Sequence, residues 1–367
     1  MINSMSEKKI RNCIIVMAIV CVVVLSLCGA LVYYVDPFFH YHAPIEGFNY
    51  VVDNQLTQNP GMAEHMDYDS VILGSSMTVN FETDWFSELF GLKTLKLSYS
   101  SAYPKDISNI LEKIYEDPNR EIKKVFLGAD IVTYSGDTDE TKYPLPKYLY
   151  DDNPINDVKY LLNKDVLLNY VLRPIADPEP MNLSHIYASW WTDEYYNEEW
   201  VLRNHDISQV GKDEILAEYA FDVRITKNLE ANIVPYIEAH PETEFVIFFP
   251  PYSILFWNDA ILDGHLEASL NAYKCIANRL NTYDNVKMFF FPAMEDVVTD
   301  LNNYADYTHY HPRINRYMAE CFRNDTNVIN KDNNGEGSID EYIDRMHDII
   351  DRYDFPKLRE KLRKYHE

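Results

Sequence analysis

The sequence predicts an α/β protein in three layers, with a mostly parallel sheet covered by helices on both faces and one membrane-spanning helix ahead of it. Three observations predict this. Residues 14–35 carry no charge. Five short apolar runs alternate with helix-period segments downstream. Those runs lack strict polar alternation, as befits strands buried on both faces. At 367 residues and 47% hydrophobic, the chain suffices for one large or two small domains with a sizeable core.

The N-terminal run "CIIVMAIVCVVVLSLCGALVYYV" has Ser26 as its one weakly polar side chain over 14–35. As a helix rising about 1.5 Å per residue it reaches roughly 33 Å, enough for a hydrocarbon core of about 30 Å. Lys8, Lys9 and Arg11 precede it and Asp36 follows, so the N-terminus is expected in the cytoplasm and residues 36–367 outside. A cleaved signal peptide shares the charged start. Against it, the run is about twice a usual signal core and no small-x-small site closes it. A lipoprotein reading of "LSLC" needs a small residue before Cys28, where Leu27 stands. The expectation is an uncleaved anchor.

The organisation expected is a cytoplasmic tail 1–12, an anchor 13–35, a linker 36–66, an α/β domain 67–330 with an insert at 131–212, and a helical extension 331–367. Candidate strands are "SVILGSS" (70–76), "TLKLSYS" (94–100), "KKVFLGAD" (123–130), "EFVIFFPP" (244–251) and "VKMFFFP" (286–292). Ile107, Ile110, Leu111 and Ile114 recur at one-face helical spacing, as do Leu266, Leu270, Tyr273, Ala277 and Leu280. The insert is rich in Tyr, Pro and Asp, and an insertion of that size at a strand end is often a lid. Its Trp190, Trp191, Tyr195, Tyr196 and Trp200 either form a small core or stack on sugar rings. Residues 338–367 read as helices broken at "DFP" that pack on the outside.

Charge and cysteines bound the partners. The formal charge is −25. Because Lys8, Lys9 and Arg11 outweigh Glu7 by two charges, residues 36–367 carry about −27, and phosphate repels such a surface. No nucleic-acid partner is expected. Cys13, Cys21 and Cys28 lie in or beside the anchor, leaving Cys275 and Cys321, of which Cys275 reads as a buried apolar residue on a helix.

Chemistry in open parallel sheets gathers at the carboxyl ends of strands. Gly74-Ser75-Ser76, Ser100-Ser101, Gly128-Ala129-Asp130 and "NNYADYTHYHP" all fall there. A serine needs a nearby base to become a nucleophile, and a histidine base needs a carboxylate to fix its tautomer. Asp306 three residues before His309 fits that pairing, whereas His311 points elsewhere in an extended segment. The pattern alone leaves Ser75 and Ser76 equal. No HExxH or Cys/His cluster completes a metal site, and no GxGxxG or GxxxxGK[ST] motif calls for a nucleotide, so no cofactor is expected. "NKDNNGEGSIDE" mimics a calcium loop at Asn330, Asp332, Asn334, Gly335 and Glu341, but it starts with Asn and has Gly337 where an apolar residue is wanted.

The blocks "VILGSSMT", "LSYSSAYPKD", "VFLGAD", "FFPPYS" and "LNNYADYTHYHP", in that order over 67–323, resemble the SGNH/GDSL hydrolase superfamily. The likeness is nearest to membrane-anchored, exported members of bacterial cell-envelope gene sets. In outline the chain is similar to the D-alanine transfer protein of teichoic acid synthesis and to alginate O-acetylation proteins. The resemblance implies an SGNH/flavodoxin-like fold, Ser76 as nucleophile, His309 as base and Asp306 as its partner. It places Gly74 and Ser75 beside the nucleophile and Ser101 where a glycine N–H usually meets the oxyanion. It also puts Asp130 where an asparagine side chain usually donates. The implied function is a serine esterase or O-acyltransferase working on ester substituents of an envelope polysaccharide, with a glycan substrate and a membrane-bound acyl-donor partner. An inert relative that binds glycan or helps envelope assembly is the alternative, and Asp130 is its best support.

Overall fold

The computed structural model describes residues 2–208, 210–211, 214–331 and 335–366. The chain divides into two compact units, Met1–Met66 with Leu145–Met181, and Asp67–Pro144 with Asn182–Glu367.

The larger unit holds a five-stranded sheet, β1 (Ser70–Leu73), β2 (Thr94–Lys96), β3 (Lys124–Gly128), β4 (Glu244–Phe249) and β5 (Val286–Phe290). All neighbours are parallel and the order is β2-β1-β3-β4-β5. The strands are nearly wholly buried, which is why their sequences read as unbroken apolar runs. Each regular strand ends before the polar residues that follow it in the expected segments. Pairing still continues past β2, since the Leu97 and Tyr99 N–H groups donate to the Ile72 and Gly74 carbonyls at 2.9 Å each.

Side chains alternate across the strands, so Phe248 and Phe249 face opposite layers. On one side Phe248, Phe126 and Phe289 meet Phe322 of the helix Pro312–Asn324, beside Thr83–Phe90. On the other, Phe249 and Phe290 pack on Tyr273 of Leu266–Leu280, and Phe290 stacks on Tyr342 of Ile339–Arg352. The expected apolar stripes lie on Pro104–Tyr115 and Leu266–Leu280 and face inward. Cys275 departs from expectation: it is half-buried, with its thiol near Thr226 Oγ1, because it lies on the flank of its helix. Cys275 and Cys321 are both free thiols. Of the calcium-like loop, Asp332 and Asn334 lie outside the described residues; Glu341 accepts from the Gly337 N–H and pairs with Arg345.

The smaller unit begins with α1 (Ile2–Val35), which is long and apolar enough to cross a membrane. Asp36 ends it in a left-handed conformation, φ +47°, and is fully buried. Its carboxylate accepts from the His40, Tyr41 and His42 N–H groups at 3.0, 2.7 and 3.0 Å and from the Tyr160 hydroxyl at 2.8 Å. Gln58 gathers the next stretch, donating to the Pro37 and Val51 carbonyls while accepting from Asp53 and Asn54.

Candidate active site

The end of β1 is shaped by Gly74. Its φ is +141°, and a Cβ there would lie 2.8 Å from the Thr78 methyl and 3.2 Å from the Gly128 carbonyl, so only glycine fits. Ser75 is buried and caps the turn Ser76–Thr78 by accepting from Met77 N–H at 3.3 Å. Its hydroxyl donates to Asp130 Oδ2 at 3.2 Å. Ser76 is half-buried, and its Oγ lies 2.7 Å from His309 Nε2. Geometry thus separates two serines that the sequence leaves equal.

His309 is held by a tight turn closed by an antiparallel bridge between Tyr304 and Tyr310. Within it Asp306 Oδ1 accepts from the Thr308 and His309 N–H groups at 2.8 and 2.7 Å, and Oδ2 lies 2.6 Å from His309 Nδ1. Burial works against the Asp306 charge, but the His309 contact and these N–H groups outweigh it and hold its pKa down to about 2. An ionised Asp306 keeps the proton on Nδ1, which leaves Nε2 free to accept from Ser76. Tyr310 Oη and Asn315 Nδ2 both donate to the Met77 carbonyl, at 2.8 and 3.3 Å, tying this turn to that of Ser76. His311 stands apart: its Nδ1 caps Pro312–Asn324 and its Nε2 meets Asp193 at 2.9 Å.

Asp130 follows β3 and caps the short helix Ile131–Tyr134 through the Val132 N–H at 3.1 Å. Tyr252 Oη donates to the same oxygen in a short contact. Burial pushes the Asp130 pKa up, against the pull of Tyr252, Val132, Ser75 and His309. The Tyr252 hydroxyl, the Val132 N–H and the Ser75 hydroxyl are all aimed at this carboxyl group. Ser101 is exposed with φ +58°, the left-handed conformation that glycine adopts most easily. Among the described residues no acceptor takes the Ser76 or Ser101 N–H.

Three contributors carry weak sequence signals. Trp190 stacks on the His309 ring, centroids 4.2 Å apart and planes at 30°. Its neighbours Trp191 and Trp200 instead lie edge-on against His185 and Tyr195. Tyr252 closes the Asp130 carboxylate from the start of the connection after β4. Lys96, a charge in an otherwise apolar strand, is fully buried. Its Nζ donates to the Val79 and Phe81 carbonyls at 2.7 and 2.8 Å and to that of Ser184 at 3.3 Å, joining the chain after Ser76 to the segment that carries Trp190.

Burial pushes the Lys96 pKa down to about 7 from 10.5, against the attraction of Glu82. Between those two values the unfolded chain binds a proton that the folded one does not, so this group makes stability rise with pH across that window. Urea unfolding of detergent-solubilised wild type and Lys96→Met at several pH values is expected to show it. The wild type should gain up to about 1.4 kcal/mol per pH unit relative to the variant above neutrality.

A cavity of about 700 Å³ adjoins Asp306 and Tyr307 and is walled by Val132, Phe256, His205 and Asp259, the last two 2.9 Å apart. Ser76 is not in its wall. Among the described residues no three His, Cys, Asp or Glu side chains gather in a way that could hold a metal. The arrangement at Ser76 suits removal of a serine proton by a histidine whose charge a carboxylate balances.

No family model and no curated protein matches the sequence. A solved structure of a Streptococcus pneumonia protein, provisionally described as a platelet activating factor, superposes with a TM-score of 0.37 at 12% identity, covering 74% of this chain and 90% of that one. The site is therefore read from its own geometry.

Proposed function

We propose that this protein is a membrane-anchored, extracytoplasmic serine hydrolase or O-acyltransferase of SGNH type that acts on ester substituents of an envelope polysaccharide. The observation that carries the reading is the unbroken Ser76–His309–Asp306 hydrogen-bond chain, 2.7 and 2.6 Å, at the carboxyl end of a parallel sheet. Its position beside the β1/β3 boundary, where the strand order reverses, supports a ligand site there.

In this reading His309 Nε2 takes the Ser76 proton as Oγ bonds to the acyl carbon. The carbonyl electrons move onto oxygen, which the Ser76 and Ser101 N–H groups receive. Collapse breaks the ester C–O bond, and His309 passes its proton to the leaving alcohol. Water or a sugar hydroxyl then gives a proton to His309 and attacks the acyl carbon; collapse breaks the bond to Ser76 Oγ, His309 returns the proton to that oxygen, and the product acid or new ester leaves. The acceptor decides between hydrolase and transferase. The anchor is α1, with its N-terminus in the cytoplasm and the larger unit outside, by the Lys8, Lys9 and Arg11 cluster. A membrane-bound partner would supply the acyl group in the transfer reaction.

A second reading, an inert glycan-binding or envelope-assembly protein, draws on Asp130. Its carboxylate accepts hydrogen bonds where the superfamily's asparagine donates. The two readings part on a fluorophosphonate probe, applied to full-length protein from about pH 6 to about pH 9. Wild type is expected to label, and Ser76→Ala is expected to remain unlabelled. Wild type unlabelled at every pH sinks the catalytic reading.

A further inference from the structure

The smaller unit carries apolar surface that the proposed reaction does not use. Ile155, Val158 and Leu162 recur at helical spacing around Val158–Leu161, and Leu168, Leu172 and Ile175 do so on Val166–Ala176. These six side chains are between 41% and 84% exposed. Exposed apolar side chains recurring on two such segments suggest a surface that something other than water covers.

Their neighbour explains what covers them. Both segments pack alongside α1, whose last turns turn Gly29, Val32 and Val35 inward while Tyr33 and Tyr34 stay exposed. A side chain at Gly29 would press on Leu162, its Cβ only 3.3 Å from the leucine methyl. Gly29 lies six residues before Val35, about 9 Å along the helix axis. Tyr33 and Tyr34 are the residue type that marks a membrane interface. With a membrane interface at these tyrosines, Leu162 would sit below it, within a leaflet about 15 Å deep. At that depth the surrounding solvent would be hydrocarbon, in which an exposed leucine needs no protein partner. A groove of about 520 Å³ between α1 and Val158–Leu162, reaching down to Val22 and Leu25, is open to the same medium.

Charge agrees with the placement. In a chain of net −25, residues 155–176 carry Lys159, Lys164 and Arg173 against Asp165 and the buried Asp157. Long cationic side chains can lie along apolar surface and reach headgroup level. At Val166–Leu172 the helix widens, the Arg173 N–H donating to the Leu168 carbonyl five residues back, and Leu168, Leu172 and Ile175 along this stretch are each exposed.

Resting on the reading of α1 as a membrane anchor, we infer that residues 155–175 form a second membrane element: a wedge inserted in the outer leaflet beside α1, with lipid acyl chains covering its exposed face and filling the groove. The unit would then be held by a helix and a wedge together, which restricts its rotation about α1.

The test reconstitutes the full-length protein in nanodiscs containing phosphatidylcholine with a diazirine in its acyl tail, irradiates, and maps lipid adducts by mass spectrometry. Adducts are expected on peptides covering both 14–33 and 155–175. In a Leu168→Asp/Leu172→Asp/Ile175→Asp variant with unchanged thermal unfolding, adducts on 155–175 should fall at least about fivefold while those on 14–33 persist. Adducts on 14–33 alone in the wild type overturn the wedge and leave the anchor standing. Adducts on neither segment overturn both. Protein–protein cross-links at 155–175 in place of lipid adducts show a docking face between chains and overturn the lipid assignment.

Discussion

Asp306→Asn is expected to lower kcat by about 10⁴-fold with little loss of fold, the cost seen when the same change is made in the Ser–His–Asp template. The local geometry gives the reason. An asparagine Oδ1 can go on accepting from the Thr308 and His309 N–H groups, so the turn survives. Its Nδ2 then faces His309 Nδ1 and donates to it, which drives the imidazole proton to Nε2. That N–H points at Ser76 Oγ and can no longer accept its proton. The checks are turnover of a p-nitrophenyl ester and a thermal melt of each protein. A kcat within about tenfold of wild type would remove Asp306 from the reaction. A collapse of the melt would instead assign it to folding alone.

Asp130→Asn should act in the opposite direction. Its Oδ1 can keep the Val132 N–H and the Tyr252 hydroxyl, while Nδ2 replaces an oxygen that now accepts from Ser75. In the catalytic reading Asp130 stands where the superfamily's asparagine donates to the oxyanion, and the change puts an amide donor there in place of a carboxyl group. One such donor is worth about 100- to 1,000-fold in rate, and part of that goes to Ser75, so a gain of about 10- to 100-fold in kcat is expected. The readout is kcat against KM with a small ester, because a transition-state effect raises kcat and leaves KM nearly still. An unchanged or lower kcat would show that Asp130 does not face the reacting oxygen.

Much of the fold was legible because parallel strands buried on both faces must be apolar throughout, and helices covering them must repeat their apolar residues every three or four positions. "EFVIFFPP" and the Leu266–Leu280 stripe are unmistakable on those grounds. The candidate site was legible as residue types at strand ends. It could not be read as geometry. Ser75 and Ser76 are told apart by the neighbour each hydroxyl meets, Asp130 in one case and His309 in the other, and both neighbours are far away in the chain. Trp190 was visible as one aromatic among five, with nothing local to say that it alone would lie on His309. The union of residues up to Met66 with Leu145–Met181 was hidden for a similar reason. It rests on contacts between segments far apart in the chain, such as Tyr160 with the Asp36 carboxylate and Leu162 against Gly29, that neither segment displays by itself.

The Met77 carbonyl takes hydrogen bonds from Tyr310 and Asn315 across separations of 233 and 238 residues. Contacts that distant in sequence form late, since the loop between them must close before they reward the chain. A chain lengthening from its N-terminus holds Ser76 long before His309, and the two can meet only once most of the larger unit has been made. In the catalytic reading, reactivity at Ser76 would therefore time the end of folding rather than its beginning, so that a partly folded chain stays chemically silent.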